Sequence, residues 1–415
     1  MTSTLERRQA AANGIATWTI GAPRLLAGLD RHDVLDARLH LDTHGPIPSV
    51  ALDRMLQLLD AAGLAGRGGA GFPLAAKLRA LSGSRRHVVV NGTESEPASL
   101  KDRVLLRRAP HLVLDGALAV AAAIGAQRTT VAVHDEATAR VVRNALAERV
   151  DGRRARVAVA GGGFVGGEAR ALTRGLDGGV PLPPGFREHG TARGNLVSNA
   201  ETFAQLAVLL RRGARAYADT GTNAEPGTSL FTVGGAVARP GVVEAPLGTP
   251  LGIMLTAAQA APAQAIVMGG YHGSWHLPLP DIELSRAGLA RAGGTFGAGV
   301  LLVVDTRTCA LGELTRVTSW LAAQSVRQCG PCRFGLPALA RDVDLMRRGD
   351  RGAVEVALRH ARAVHGRGAC AHPDGTARFV TSAIHLLQDE VQQHVHTGTC
   401  GRPLLGRLPI DGGVA

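Results

Sequence analysis

The sequence predicts an α/β fold in three units: a first domain on a largely parallel sheet, a small β-grasp-like domain, and a C-terminal helical bundle. Three observations predict it. Buried-type strands alternate with helix-periodic stretches over residues 49–225. Over 226–300 short β-type runs surround a single helical stretch. Over 301–415 helical periodicity dominates. Residues 1–48 precede these as a weakly patterned N-terminal extension.

The elements follow in order. Ser49–Ala62 reads as a helix, with Leu52, Met55, Leu56 and Leu59 on one face and Ser49 as its N-cap. A glycine-rich segment, Gly63–Gly71, separates it from a second helix over Ala75–Leu81. His87–Asn91 is a short apolar strand, Ala109–Ala126 a helix, Thr129–Val133 a strand, Ala137–Arg149 a helix and Arg156–Ala160 a strand. Gly178–Gly194, rich in Pro and Gly, is expected to be an ordered loop, and Glu201–Arg211 a helix. In the second unit the β-type runs are Leu230–Val233, Val242–Glu244 and Ala265–Met268, around the helical stretch Leu251–Ala260. A strand at Val300–Val304 leads to Cys309. The bundle follows as Leu311–Val326, Gly335–Arg348, Ala353–Val364 and Ala377–Val395.

With 415 residues, the chain has room for several domains of roughly 100–200 residues each. Hydrophobic residues at 45% and charged residues at 19% supply an ordinary globular core, so the 54 glycines are not read as disorder. The net charge of +12 admits nucleic acid, acidic membranes or acidic proteins as partners. Yet no Lys/Arg block with interleaved aromatics occurs, and arginines spread over helical faces such as Arg140–Arg149. No nucleic-acid partner is expected; an acidic redox partner is compatible with the charge. Met1–Gln9 is polar with no signal-like apolar run after it, and no stretch reaches the ~20 apolar residues of a bilayer span. A cytoplasmic chain without membrane insertion is expected. Its five cysteines then point to metal or catalysis rather than disulfides.

Four segments carry chemistry. Gly66–Phe72 (GRGGAGF) lets backbone N–H groups approach a ligand closely, and its position before a helix suits a phosphate, with Arg67 and Lys77 as added charge. Asn91–Arg103 (NGTESEPASLKDR) follows a buried strand, where α/β folds place ligands. Phe164–Leu172 (FVGGEARAL) also follows a strand. Asn195–Phe203 (NLVSNAETF) sets Ser198, Asn199 and Glu201 before a helix, where Asn199 and Glu201 also read as a capping pair.

In this order the four segments resemble the flavoprotein subunit of respiratory complex I and its soluble relatives, the NADH-oxidising subunits of NAD-reducing hydrogenases and formate dehydrogenases. The family's GRGGAGFP stands unchanged at Gly66–Pro73 and its KDR at Lys101–Arg103, and the resemblance runs from about Ala51 to Val395. Val233–Thr249 resembles the family's soluble-ligand-binding β-grasp domain. The resemblance implies an NADH:acceptor oxidoreductase in which NAD(H) reduces FMN. It implies FMN phosphate on Gly66, Arg67, Gly68, Gly69, Ala70 and Gly71, with Lys77 nearby, and flavin-ring contacts from Asn91, Glu94 and Asn199. Phe72 and Glu96 are implied at the nicotinamide nucleotide, Glu168 matches the first Glu of the family's G-E-E, and Phe164 and Ser198 hold the Tyr and first Asn positions. Glu94, Glu96 and Glu168 are the implied catalytic carboxylates. Thr93 stands where the family has Asp and Ala169 where it has the second Glu, which makes the pocket less acidic and bears on the choice between NADH and NADPH.

Cys329-Gly-Pro-Cys332 with the distant Cys370 favours a metal centre in a helical bundle. The family's S-C-G-x-C-x-P-C-R pattern, with a fourth Cys further on, holds a 4Fe–4S cluster. Cys329, Cys332 and Cys370 match it, and Val326 falls on the first Cys. Cys400 is the expected replacement ligand, as a thiolate on a free tail, with His372 as the alternative; a three-Cys cluster or none are the remaining readings. Cys309 is expected to be buried and inert. A separately encoded ferredoxin or other redox subunit is the expected electron acceptor, since fused relatives continue into a ferredoxin domain beyond this point. The competing reading is a non-catalytic binding or assembly subunit, supported by the replacements at Thr93, Ala169 and Val326.

Overall fold

The computed structural model describes residues 14–185 and 194–410, so part of the expected Gly178–Gly194 loop lies outside the described residues. Its strands are β1 (Thr17–Thr19), β2 (His87–Gly92), β3 (Arg128–Val133), β4 (Ala155–Val159), β5 (Asn195–Asn199), β6 (Thr228–Gly235), β7 (Gly241–Pro246), β8 (Ala263–Met268), β9 (Ser274–His276) and β10 (Val300–Asp305). They form two sheets, and the protein is mixed α/β.

The first sheet has the order β4-β3-β2-β5 and is parallel throughout. Its central strand β2 is apolar on both faces because helices cover both, as parallel sheets require. The helix expected over Ala109–Ala126 is Pro110–Ala123, and a separate helix not expected from the sequence, Lys101–Arg108, precedes it. Pro110 lacks an N–H and opens the second at its first turn. The polar stretch before Glu201 is itself a strand, β5, paired with β2 from Asn195 opposite His87 to Asn199 opposite Asn91. Asparagines at both ends hide it from a propensity reading. The helix after it runs Ala200–Ala218, with non-helical φ/ψ at Gly213. The first amphipathic helix is Leu52–Ala61; Ala51, not Ser49, occupies its N-cap.

The second sheet, β1-β7-β6-β10-β8-β9, mixes parallel and antiparallel pairs. Two of its strands lie outside residues 226–300. β10, which a boundary at 300 assigns to the helical unit, pairs parallel with β6 and antiparallel with β8. β1 comes from the N-terminal extension and pairs parallel with β7. The buried Glu244 secures that extension, accepting the backbone N–H groups of Arg24, Leu25 and Leu26 at 2.9 Å each and the Thr228 hydroxyl at 2.7 Å. Leu25, Leu26, Leu29 and Leu35 then enter the first domain's core.

The C-terminal part packs helices Ala310–Ala323, Leu336–Arg347, Ala353–Val364, His372–Leu386 and Gln388–Thr397 around their own apolar cluster. The helix expected over Ala377–Val395 is two helices meeting at Leu387. Among the described residues, no helix is long and apolar enough to cross a membrane.

Candidate functional site

The four polar segments converge beyond the C-terminal ends of β2 and β5, the edge at which parallel sheets bind ligands. Asn91, on β2, donates from Nδ2 to the Gly167 carbonyl at 2.8 Å, joining the second segment to the third. Asn199 ends β5 and caps the next helix by accepting the Glu201 N–H at 3.1 Å. Its Nδ2 donates to the Asn91 carbonyl at 3.3 Å and to Asp102. Ser198 is buried on the same strand. The glycine loop lies over Asn199: a Cβ at Gly68 would stand 3.2 Å from the Asn199 Cβ. Gly69 and Gly71 have φ of 101° and 67°, left-handed values that glycine adopts without strain. Ala70 lies between them. Lys77, on the short helix Leu74–Arg79, donates to the Val197 carbonyl at 3.0 Å, and burial lowers its pKa.

Arg67 departs from the expected role of phosphate counter-charge. Its side chain is 2% exposed and turned inward, with Nε 3.9 Å from Glu201 and Nη2 donating to the Thr228 carbonyl at 3.2 Å. Glu201 is the centre of a buried network. It sits 3.2 Å from Lys101 Nζ and accepts the Ser229 hydroxyl at 2.9 Å and the Leu230 N–H at 3.0 Å. Lys101 also bonds Asp102 at 2.8 Å and Asn199 at 2.9 Å. These groups tie the glycine loop, the helix Lys101–Arg108, β5 and β6 together. Glu201→Ala would leave two buried cations short of a partner and is expected to cost roughly 3–5 kcal/mol. Urea unfolding measures it; a cost within ~0.5 kcal/mol would show the network contributes nothing.

Arg286, absent from the residues the sequence singles out, supplies charge where Arg67 does not. It crosses the loop from the second unit, donating from Nη2 to the Gly66 carbonyl at 2.7 Å, and a Cβ at Gly71 would collide with it. Among the described residues its Nε and Nη1 are buried without a hydrogen-bond partner, Nη1 lying 4.0 Å from the Glu225 carboxylate. A glycine loop with an under-satisfied guanidinium across it fits a bound phosphate. No sequence signal marks Arg286, because it reaches the loop from far along the chain.

The carboxylates are placed unequally. Glu94, at a left-handed φ of 40°, accepts the Ser99 hydroxyl and the Asp102 N–H at 2.8 Å and the Arg103 N–H at 2.9 Å, so it caps the following helix. Burial, then the neighbouring Asp102, pushes its carboxyl up to about 7. Glu96 reaches across to the second unit and accepts the Tyr271 N–H at 2.8 Å; burial pushes it up to about 7 as well. Glu168 caps the helix Ala169–Leu176 and pairs with Arg170 at 2.9 Å. Phe72, following the loop, is 51% exposed, open for stacking. Phe164 lies among other aromatic rings. Its ring packs edge-on against His272, Trp320 and His372, with centroids 4.7, 5.3 and 5.5 Å away.

Cys329, Cys332 and Cys370 are gathered at the far end of the helix Ala310–Ala323. Burial first, then the two other thiols, pushes Cys332 up to about 12, while the Ser325 hydroxyl beside it acts the other way. Cys370 feels burial, Cys329 and Glu168 in the same upward sense. Arg327, on the glycine position of the cysteine motif, has φ of 54°, so the loop keeps a glycine-like backbone. Three grouped thiols on such a loop fit an iron–sulfur cluster with three protein thiolates.

Neither expected fourth ligand joins them. Cys400 lies with Cys309 at the start of the helix Ala310–Ala323, whose 14 residues span about 21 Å. The tail does fold back, but to the wrong end of that helix. His372 has both ring nitrogens engaged, Nδ1 with His272 at 3.0 Å and Nε2 with the Leu321 carbonyl at 2.9 Å. The Ser325 hydroxyl, on the leading Ser of the family pattern, lies beside Cys332.

Two family models match the chain, the Nuo51 FMN-binding domain over residues 59–208 and the NADH-ubiquinone oxidoreductase-F iron-sulfur binding region over residues 312–394. The first spans the glycine loop with Asn91, Gly167 and Asn199; the second spans the three grouped cysteines. The F subunit of the NADH-quinone oxidoreductase of Mycobacterium tuberculosis (strain H37Rv) is 30% identical over 409 residues, covering 90% of this chain and 91% of that protein. An F subunit of the NADH-quinone oxidoreductase of Rhizobium meliloti (strain 1021) is 27% identical over 383 residues, covering 84% and 90%. A chain of an air-oxidised NAD+-reducing [NiFe]-hydrogenase superposes with a TM-score of 0.78 at 26% identity, over 96% of this chain and 70% of that one. FMN, NAD(H) and a 4Fe–4S cluster are the cofactors of this architecture. By these two family-model matches and by 30% identity over nine-tenths of both chains, the chain belongs to the family of NADH-quinone oxidoreductase F subunits.

Proposed function

We propose that this chain oxidises NAD(P)H at the strand-end site and passes the electrons, through the cluster of Cys329, Cys332 and Cys370, to a ferredoxin or quinone-type acceptor within a larger redox assembly. FMN, when bound, supplies two-electron uptake and one-electron release. The observation that carries the reading is the convergence of Gly68, Asn91, Gly167 and Asn199 at one sheet edge. In this reading Gly66–Gly71 and Arg286 hold the phosphate, and Asn91 and Asn199 orient the ring. Phe72 stacks on the nicotinamide nucleotide. Glu96 faces that nucleotide from the junction with the second, β-grasp-like unit and repels the extra phosphate of NADPH. Glu168, which also acts on Cys370, lies on the side facing the cluster.

Anaerobic titration of purified protein with NADH tests the reading. Bleaching of the flavin band followed by loss of iron–sulfur absorption is expected. Bound flavin that NADH leaves untouched would instead favour a non-catalytic subunit, the reading to which Thr93, Ala169 and Val326 lend support.

Glu96→Gln tests the nucleotide side. It should keep flavin, raise KM for NADH and narrow the preference over NADPH, by roughly 10-fold for a lost charge contact of ~1.4 kcal/mol. It also has a pH signature. Glu96 is raised from an ordinary 4.5 to about 7, so its contribution to stability is complete below 4.5 and lost as pH rises through about 7. The variant should flatten the melting temperature over that window. Unchanged kinetics with both nucleotides would remove Glu96 from the pocket.

A further inference from the structure

We propose that Cys309, Glu390, His394 and Cys400 form a second metal site, for a tetrahedral divalent cation of the zinc type, distinct from the Cys329, Cys332 and Cys370 group. All four residues are buried, and one ligand atom from each lies within 4.8 Å of all the others. Cys309 Sγ is 3.3 Å from Glu390 Oε1 and 3.6 Å from His394 Nε2, and these last two atoms are 3.9 Å apart. Tetrahedral zinc with ordinary bond lengths holds neighbouring N, O and S ligands roughly 3.3–3.8 Å apart. The four groups are therefore near ligating distances already.

The surroundings are those of a prepared site. His394 donates from Nδ1 to the Arg347 carbonyl at 2.5 Å, which leaves the Nε2 lone pair facing the Cys309 sulfur. Glu390 and His394, four apart on the helix Gln388–Thr397, share a face. Cys309 caps the helix Ala310–Ala323, its sulfur accepting the Gly312 N–H at 3.2 Å. That N–H favours thiolate, but burial outweighs it and pushes the metal-free thiol up to about 12, so a bound cation has to displace the proton. Glu390 keeps one oxygen on the Leu311 N–H at 3.0 Å and the other on Arg402 at 2.7 Å. The charge balances: one divalent cation enters, two thiol protons leave, and two thiolates, one carboxylate, one neutral imidazole and Arg402 sum to neutrality with it. A surface cleft of about 660 Å³, lined by Cys309, His394, Thr399 and Arg402 among others, provides entry.

The site would staple the C-terminal tail to the sheet and bundle. Beyond Cys400 the tail hands the Pro403 carbonyl to the Cys309 N–H at 2.9 Å, the Arg407 N–H to Glu313 at 2.7 Å and the Pro409 carbonyl to the Tyr271 hydroxyl at 2.5 Å. Tyr271 is the residue whose N–H holds Glu96. The metal is thus structural in this proposal and needs no part in electron transfer.

Metal analysis of the full chain tests it without any activity assay. Protein carrying Cys332→Ser, which cannot hold the iron–sulfur cluster normally, is expected to keep about one zinc per chain. Adding Cys400→Ser or His394→Ala should remove that zinc. If those variants fold poorly, Co²⁺ in the otherwise intact chain decides. It should give tetrahedral visible bands and a sulfur-to-cobalt charge-transfer band, abolished by Zn²⁺ competition. Chelation should lower the melting temperature, and Zn²⁺ should restore it. Failure of the chain to take up Zn²⁺ or Co²⁺ overturns the proposal. So does a Cys309–Cys400 disulfide found by peptide mapping of thiol-blocked native protein.

Discussion

Gly69→Val is expected to yield a folded chain that no longer retains FMN. A Cβ at Gly69 would stand 3.4 Å from the Gly297 carbonyl, an ordinary contact, so the fold has room for it. The loop does not. At φ of 101° a branched residue costs about 1–3 kcal/mol, and relieving that strain moves the backbone amides away from the phosphate. A loss of this size lowers affinity roughly 10- to 100-fold before any direct obstruction is counted. Gly83→Val is the matched control. It has φ of 88°, nothing among the described residues within 4 Å of its Cβ, and lies outside the loop, so it should carry the same backbone penalty and keep its flavin. Flavin-to-protein ratio after gel filtration, with urea unfolding of both variants, reads the result. Equal flavin in the two would show that Gly66–Gly71 is not the cradle.

Cys332→Ser should separate the two halves of the electron path. The chain is expected to lose its iron and its ability to reduce a one-electron acceptor, while NADH still bleaches the flavin. Cys332 is 1% exposed between two other thiols, and burial holds its proton on up to about 12. Only bonding to a metal makes it a thiolate at neutral pH, and a buried serine hydroxyl is a far poorer donor to iron. The neighbouring candidates should behave differently. His372→Ala should retain iron, since that ring is spent on Leu321 and His272. Cys400→Ser should retain it too, because that thiol sits at the opposite end of the helix Ala310–Ala323. Iron and acid-labile sulfide, measured on all three, decide. Loss of iron in Cys400→Ser with retention in Cys332→Ser would mean the ligands are wrongly assigned.

The α/β class, the order of the binding segments and the three matching cysteines are all legible in the amino-acid sequence. Each rests on information a short stretch carries alone. The apolar run Val88–Val90 between polar loop residues reads as a buried strand, and glycines at 66, 68, 69 and 71 read as a turn or as a loop of close approach. Other features depend on which distant side chains meet, and these emerge only in three dimensions. β1 is a three-residue strand without a periodic signature, defined only by its pairing with β7. Arg67 is the arginine that the glycine motif carries, yet the buried carboxylate of Glu201 claims it, and Arg286, which no motif marks, lies beside the loop. Phe164 follows a strand as a flavin contact might, but His272, Trp320 and His372 offer its ring a closer fit. Cys400 had a tail able to reach either end of a helix about 21 Å long. The bonds from Pro403 and Arg407 to Cys309 and Glu313 bring it to Cys309 rather than to Cys332. Local patterns restrict backbone shape because the restricting atoms are neighbours in sequence. A ligand set is a competition among partners across the whole chain, and only the packed structure resolves it.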